Sequence, residues 1–146
     1  MINRVDEDRQ VRRENQLTIL YSHPATDMIL VVDPDPFSRD ITRRFLEALG
    51  FSVLLAQDGA AGMDLFRKNM AAVGAVILDS ILPDDGSEKT FLELRQMRSN
   101  VPVIVCSACS TQEVASRFAG DGGVDYLPKP FSFVQLQSAV RKATRT

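Results

Sequence analysis

From Met28 onward the chain alternates short all-apolar runs with longer stretches whose apolar residues return every third or fourth position. Runs bounded by turn residues read as strands buried on both faces, and the longer spacing reads as helices with one apolar stripe. Ile29-Leu30-Val31-Val32 is the first such strand and ends in Asp33. Asp35 then offers an N-cap and Pro36 a first helical residue whose missing N–H costs nothing. Phe37, Ile41, Phe45 and Leu49 form the stripe of this helix, Leu46 widens it, and Gly50 closes it as a left-handed cap. Phe51 to Ala56 make a second strand, and Asp58-Gly59 turn the chain into a helix carrying Met63, Phe66 and Met70.

The third strand, Ala75 to Asp79, lies between Gly74 and the turn signal Pro83-Asp84-Asp85-Gly86, where Gly86 is the expected left-handed residue. Phe91, Leu94 and Met97 mark a third helix, and Val101 to Cys106 a fourth strand. Val114, Ala115, Phe118 and Ala119 mark a helix stopping at Gly120, and Gly122-Gly123 lead into a short strand, Val124 to Leu127. Pro128-Lys129-Pro130 make a rigid turn, and Ser132 caps a last helix that buries Phe133, Leu136 and Val140. Five strands and five helices in alternation imply right-handed crossovers and an α/β fold with a doubly wound parallel sheet.

Residues 1–27 break this pattern. Up to Asn15 they are mostly charged or polar with alternating signs, and a short apolar patch, Leu17 to Tyr21, precedes a linker-like stretch. They are read as an N-terminal extension to a domain of residues 28–146, and His23 is given no role.

With 146 residues, 45% hydrophobic and 25% charged, the chain has the make-up of one globular domain with a sizeable core. A net charge of −2 without a basic run leaves no footprint for nucleic acid, and nothing approaches a membrane span. Two cysteines without an export signal fit a cytoplasmic protein. One histidine and the lack of a glycine-rich phosphate loop remove several enzyme classes.

Chemistry collects at the carboxyl ends of the strands, where open α/β sheets place their sites. Asp33, Asp79, Ser107, Tyr126 and Lys129 are all expected at that edge, with Asp79 at its centre. Asp33 or Asp79 alone could merely cap a turn, Lys129 could be a surface lysine, and Tyr126 a half-buried strand aromatic. Their combination is more specific. Val31-Val32-Asp33 with Arg39, Ala56-Gln57-Asp58-Gly59, Ile77-Leu78-Asp79 with Leu82-Pro83-Asp84, Pro102 to Ala108, and Gly122 to Phe131 occur in order at compatible spacing.

In these motifs the chain resembles the receiver domain of two-component response regulators, the CheY-like fold with strand order 2-1-3-4-5. The resemblance runs from about Met28 to Ala143. It implies that Asp79 is a phosphoacceptor, modified by a histidine kinase or phosphotransfer protein. It implies that Asp33 and Asp79, with the backbone carbonyl of Ile81, hold Mg²⁺, and that Lys129, on a cis Lys-Pro peptide, faces the phosphoryl group. Ser107 would bind a phosphoryl oxygen, and Tyr126 would swing inward as Ser107 moves. Signalling would pass to a downstream protein target through the helix after strand four, strand five and the last helix. With nothing following Thr146, the resemblance implies a stand-alone receiver, a switch rather than an enzyme with a diffusing product.

Two departures modify this expectation. The position after Asp33, an acid in the family, is Pro34, which removes a charge and a metal ligand and should slow or abolish phosphotransfer. The loop from Asp84 to Thr90 is about three residues longer than the family's run to the third helix. Pro34 keeps open a phosphorylation-independent binding module on the same fold. Cys106-Ser107-Ala108-Cys109 keeps open a thiol–disulfide protein, because C-x-x-C between strand and helix can be a redox motif.

Overall fold

The computed structural model describes residues 28–83, 86–118 and 124–145, so the expected extension 1–27 and the turn glycines at 120, 122 and 123 lie outside the described residues. Strands β1 (Met28–Val32), β2 (Ser52–Ala56), β3 (Val73–Asp79), β4 (Val103–Ser107) and β5 (Val124–Pro128) alternate with five helices. These are α1 (Pro36–Ala48), α2 (Gly59–Lys68), α3 (Gly86–Met97), α4 (Thr111–Arg117) and α5 (Phe133–Thr144). All strand pairs are parallel, in the order β2-β1-β3-β4-β5. This is the flavodoxin-like arrangement expected from the sequence.

Successive side chains of a strand point to opposite faces, so the apolar runs feed two cores at once. Leu30, Val32, Val76, Leu78, Val103 and Val105 pack against Met63 and Phe66 of α2, Phe91 and Leu94 of α3, and Val114 of α4. Ile29, Val31, Ala75, Ile77, Ile104 and Cys106 pack against Leu46 of α1 and Leu136 and Val140 of α5. Burying both faces of three central strands is what makes their runs continuously apolar.

Local signals behaved as their chemistry requires at most helix ends. The Asp35 carboxylate accepts the Phe37 amide with Pro36 at the start of α1, and Ser132 forms a reciprocal capping box with Gln135. Gly50 has φ +95°, the left-handed cap that a side chain would strain. Gly62 serves a different need: a β-carbon there would come within 2.9 Å of Val32, so its absence lets α2 lie close on β1.

Two expectations differ from the structure. The buried line of α1 is Thr42 and Leu46, with Ile41 and Phe45 beside it, whereas Phe37 is 73% exposed. In the first turn of the helix, it lies beyond the edge of the core. Gly86 does not adopt a left-handed turn, since Gly50 alone of the described glycines has positive φ. It begins α3, so the helix takes up residues expected in the loop. The Ser87 hydroxyl donates to the Asp79 carbonyl at 2.7 Å, and Glu88 sits in the first turn, where a negative charge suits the helix dipole.

Candidate functional site

Strand register assembles the site. Val32 pairs with Leu78 and Asp79 with Cys106, so Asp33 and Asp79 both stand at the carboxyl edge. Ser107 pairs with Pro128, and the Lys129 amide donates to the Ser107 carbonyl at 2.8 Å. Lys129 precedes a cis peptide to Pro130.

The Lys129 ammonium donates to Asp33 Oδ2 at 3.0 Å and to Asp79 Oδ2 at 2.9 Å, joining segments 96 and 50 residues away. The side chains of Asp33, Asp79 and Lys129 are 5%, 13% and 20% exposed, so the triad is mostly shielded and opens narrowly to solvent. Asp33 Oδ1 accepts the Asp35 amide, and its Oδ2 also accepts the Ser38 hydroxyl at 2.7 Å. Asp79 Oδ1 accepts the Ile81 amide at 2.9 Å. Arg39 donates to the Asp33 carbonyl at 2.7 Å, which braces the loop from behind.

These contacts decide protonation. Burial alone would push the Asp33 carboxyl up, but hydrogen bonds from Ser38, the Asp35 amide and Lys129 outweigh it and hold it below its ordinary value. Burial alone would pull the Lys129 ammonium down, but hydrogen bonds to Asp79 and Asp33 outweigh it and hold it above its ordinary value. Asp33 therefore stands as a carboxylate and Lys129 as an ammonium at neutral pH.

Ser107 is buried, and its Oγ accepts from the Ser80 hydroxyl at 2.7 Å and from the Cys109 amide at 2.9 Å. Tyr126 is half-buried and lines a small cavity with Ser107, Cys109, Thr111 and Val114. Ser38, Ser80 and Ser87 were not singled out from the sequence. Serines are common, and only the tertiary fold brings these three to the site. The one available signal was the adjacency of Ser80 to Asp79.

Two carboxylates with unused lone pairs suit a hard cation that keeps several waters and binds few protein oxygens. Pro34 is exposed and offers no side-chain ligand, and no cluster of three His, Cys, Asp or Glu side chains suited to a metal occurs among the described residues. The donor set fits Mg²⁺ as a reduced, two-carboxylate site. Asp84 and Asp85 lie outside the described residues.

The structure lends no support to a redox role for the cysteine pair. Both thiols are free. Cys106 packs into the α1–α5 core, where burial pushes its thiol up to about 12, far from a thiolate at neutral pH. Cys109 packs toward the opposite core, so the two residues serve different faces of the sheet.

No helix among the described residues is long and apolar enough to cross a membrane. Comparison with known proteins agrees with the geometry. The family model of the response regulator receiver domain matches residues 29–141. Response regulator MprA of Mycobacterium sp. (strain KMS) is 40% identical over 119 residues, covering 80% of this chain and 50% of the relative. The chain thus spans about half the length of the curated relatives it matches. A receiver domain structure from Clostridium thermocellum superposes with a TM-score of 0.74 at 25% identity, covering 80% of this chain and 93% of that one. The CheX-CheY-BeF3-Mg complex from Borrelia burgdorferi gives a TM-score of 0.74 at 18% identity, over 82% and 90% of the two chains, a likeness of fold alone. A parallel sheet of this order, a lysine shared by two strand-end aspartates and a family match across nearly all the described residues lead to one conclusion: the chain belongs to the response regulator receiver domain family, the CheY-like signalling modules of two-component systems.

Proposed function

We propose that this domain accepts a phosphoryl group on Asp79 from the phosphohistidine of a histidine kinase or phosphotransfer protein. An Asp79 carboxylate oxygen attacks phosphorus, the bond from phosphorus to the imidazole nitrogen breaks, and an acyl phosphate forms as the imidazole leaves with a proton. A carboxylate approaching an anionic phosphoryl group is repelled, so positive charge must be in place beforehand. Lys129 supplies it, already within hydrogen-bond reach of Asp79, and this single contact supports the reading most strongly. Asp33 and Asp79, with the Ile81 carbonyl, would hold Mg²⁺, which when bound neutralises phosphoryl oxygens.

Ser107 then donates its hydroxyl to a phosphoryl oxygen, and Tyr126 turns into the small cavity beside it. The altered face of α4, β5 and α5 signals to a downstream protein target, in the cytoplasm where histidine kinases present their phosphate. Pro34 favours one second reading, a receiver-like binding module that works without phosphate. Incubation with acetyl phosphate and Mg²⁺, followed by intact mass, separates the two. One added phosphoryl group, lost in Asp79→Ala, supports the first. An unlabelled protein that becomes labelled after Pro34→Asp supports the second.

A further inference from the structure

Ser80, directly after Asp79, is clamped on three sides. Its amide donates to the Cys106 carbonyl at 2.9 Å, and its carbonyl accepts the Arg117 guanidinium from the end of α4 at 2.6 Å. Its hydroxyl, in a residue only 1% exposed, meets Ser107 Oγ. Arg117 is held in turn by Glu88 of α3.

With Ser80 and the Cys109 amide on it, both acceptor positions of Ser107 Oγ are taken by groups outside the triad. Among the described residues its hydroxyl makes no bond to Asp79 or Lys129. Any motion that carries Ser107 toward a phosphoryl group on Asp79 must pull it from Ser80. Ser80 cannot follow, because its backbone is tied to β4 and to Arg117. A buried hydroxyl without a partner is costly, so this separation opposes activation.

We propose that Ser80, positioned by Arg117, is a latch that holds Ser107 and the start of α4 in the resting state and sets the threshold of the switch. The proposal rests on Asp79 being the phosphoacceptor and Ser107 its partner. Ser80 is a positioning residue: it acts on the phosphoryl group only through Ser107. Removing its hydroxyl leaves the resting state with less to lose, so the activated state becomes easier to reach. A merely structural serine would produce the opposite change, since general loosening weakens ligand binding.

The test titrates the full chain, Ser80→Ala and Arg117→Gln with beryllofluoride, a phosphoryl mimic, in the presence of Mg²⁺, following the Ser107 and Cys109 amides by NMR. Ser80→Ala should reach half-saturation at about tenfold lower concentration than the parent, the worth of one buried hydrogen bond, and Arg117→Gln should shift the same way by about threefold. In the unmodified proteins, hydrogen exchange at the Cys109 amide, which reports the Ser107 position, should quicken in Ser80→Ala. Unchanged or weaker binding by both variants overturns the latch. If the parent itself takes no beryllofluoride, the Asp79 reading fails, and the exchange measurement decides separately: unaltered exchange at Cys109 in Ser80→Ala overturns the latch.

Discussion

Lys129→Met removes the cation between Asp33 and Asp79 while keeping most of the side-chain stem. At 3.0 and 2.9 Å, each ion pair is worth about 5–6 kcal/mol of attraction if the effective dielectric is about 20. Most of that attraction offsets the cost of burying the ammonium, the largest influence on Lys129. What the variant loses is the compensation of two mostly buried carboxylates, about 3–5 kcal/mol when one partner of such a set is removed. The 20% exposure of Lys129 argues for the lower end, ~3 kcal/mol. For a domain of this size the urea midpoint should fall by roughly 1.5–2 M. Far-UV circular dichroism reads this directly, as the chain has no tryptophan. Two further results follow from the same charges. Millimolar Mg²⁺ should restore part of the loss, because a cation held only by the folded carboxylates stabilises by mass action. Acid should shrink the difference, because the Asp33 carboxyl, without the lowering influence of Lys129, takes up a proton more readily. A variant as stable as the parent, or a loss indifferent to both Mg²⁺ and acid, would refute this picture of the triad.

Pro34→Asp restores an acid beside Asp33 and should tighten Mg²⁺ binding by about tenfold, since affinity follows ligand charge count; amide shifts of Asp79 during a Mg²⁺ titration measure it, and no change would place residue 34 away from the cation. Gly50→Ala puts a β-carbon on a residue at φ +95° and should cost about 1–2 kcal/mol in chemical denaturation. Cys106 has its thiol pushed from 9.0 to about 12, so the unfolded chain ionises first and folding takes up a proton. Its share of stability is therefore intact below pH 9.0 and falls, by at most about 1.4 kcal/mol per pH unit, as pH rises toward about 12. Cys106→Val should lack that slope, and equal slopes would contradict the burial argument.

The periodic signals carried the fold because they arise from local chemistry. β3 reads as a strand buried on both faces, and both faces are packed. Asp35, Ser132 and Gly50 cap as their side chains or their lack of one require. Phe37 shows the limit: helical spacing places a residue on a face, yet whether that face still covers the core at the first turn depends on the neighbouring loops. Gly86 shows another, because a glycine beside Asp85 reads as a turn until a distant partner, the Asp79 carbonyl, receives Ser87 and lets the helix start early.

At the site, the convergence of Asp33, Asp79 and Lys129 was legible from their positions at strand ends and from the family resemblance. The hydroxyl contacts were not. That Ser80 meets Ser107 depends on the pairing of Asp79 with Cys106, a register between strands 27 residues apart. The cysteine spacing suggested a pair, but the two thiols turned to different cores.

The most direct measurement is chemical trapping. An acyl phosphate is reduced by borohydride to the alcohol, so an aspartate that carried phosphate becomes homoserine in the digested peptide. After treatment with acetyl phosphate and Mg²⁺, homoserine should appear at position 79 and at no other aspartate. Homoserine at Asp33 or Asp35 with position 79 untouched would contradict the assignment of Asp79 as the phosphoacceptor.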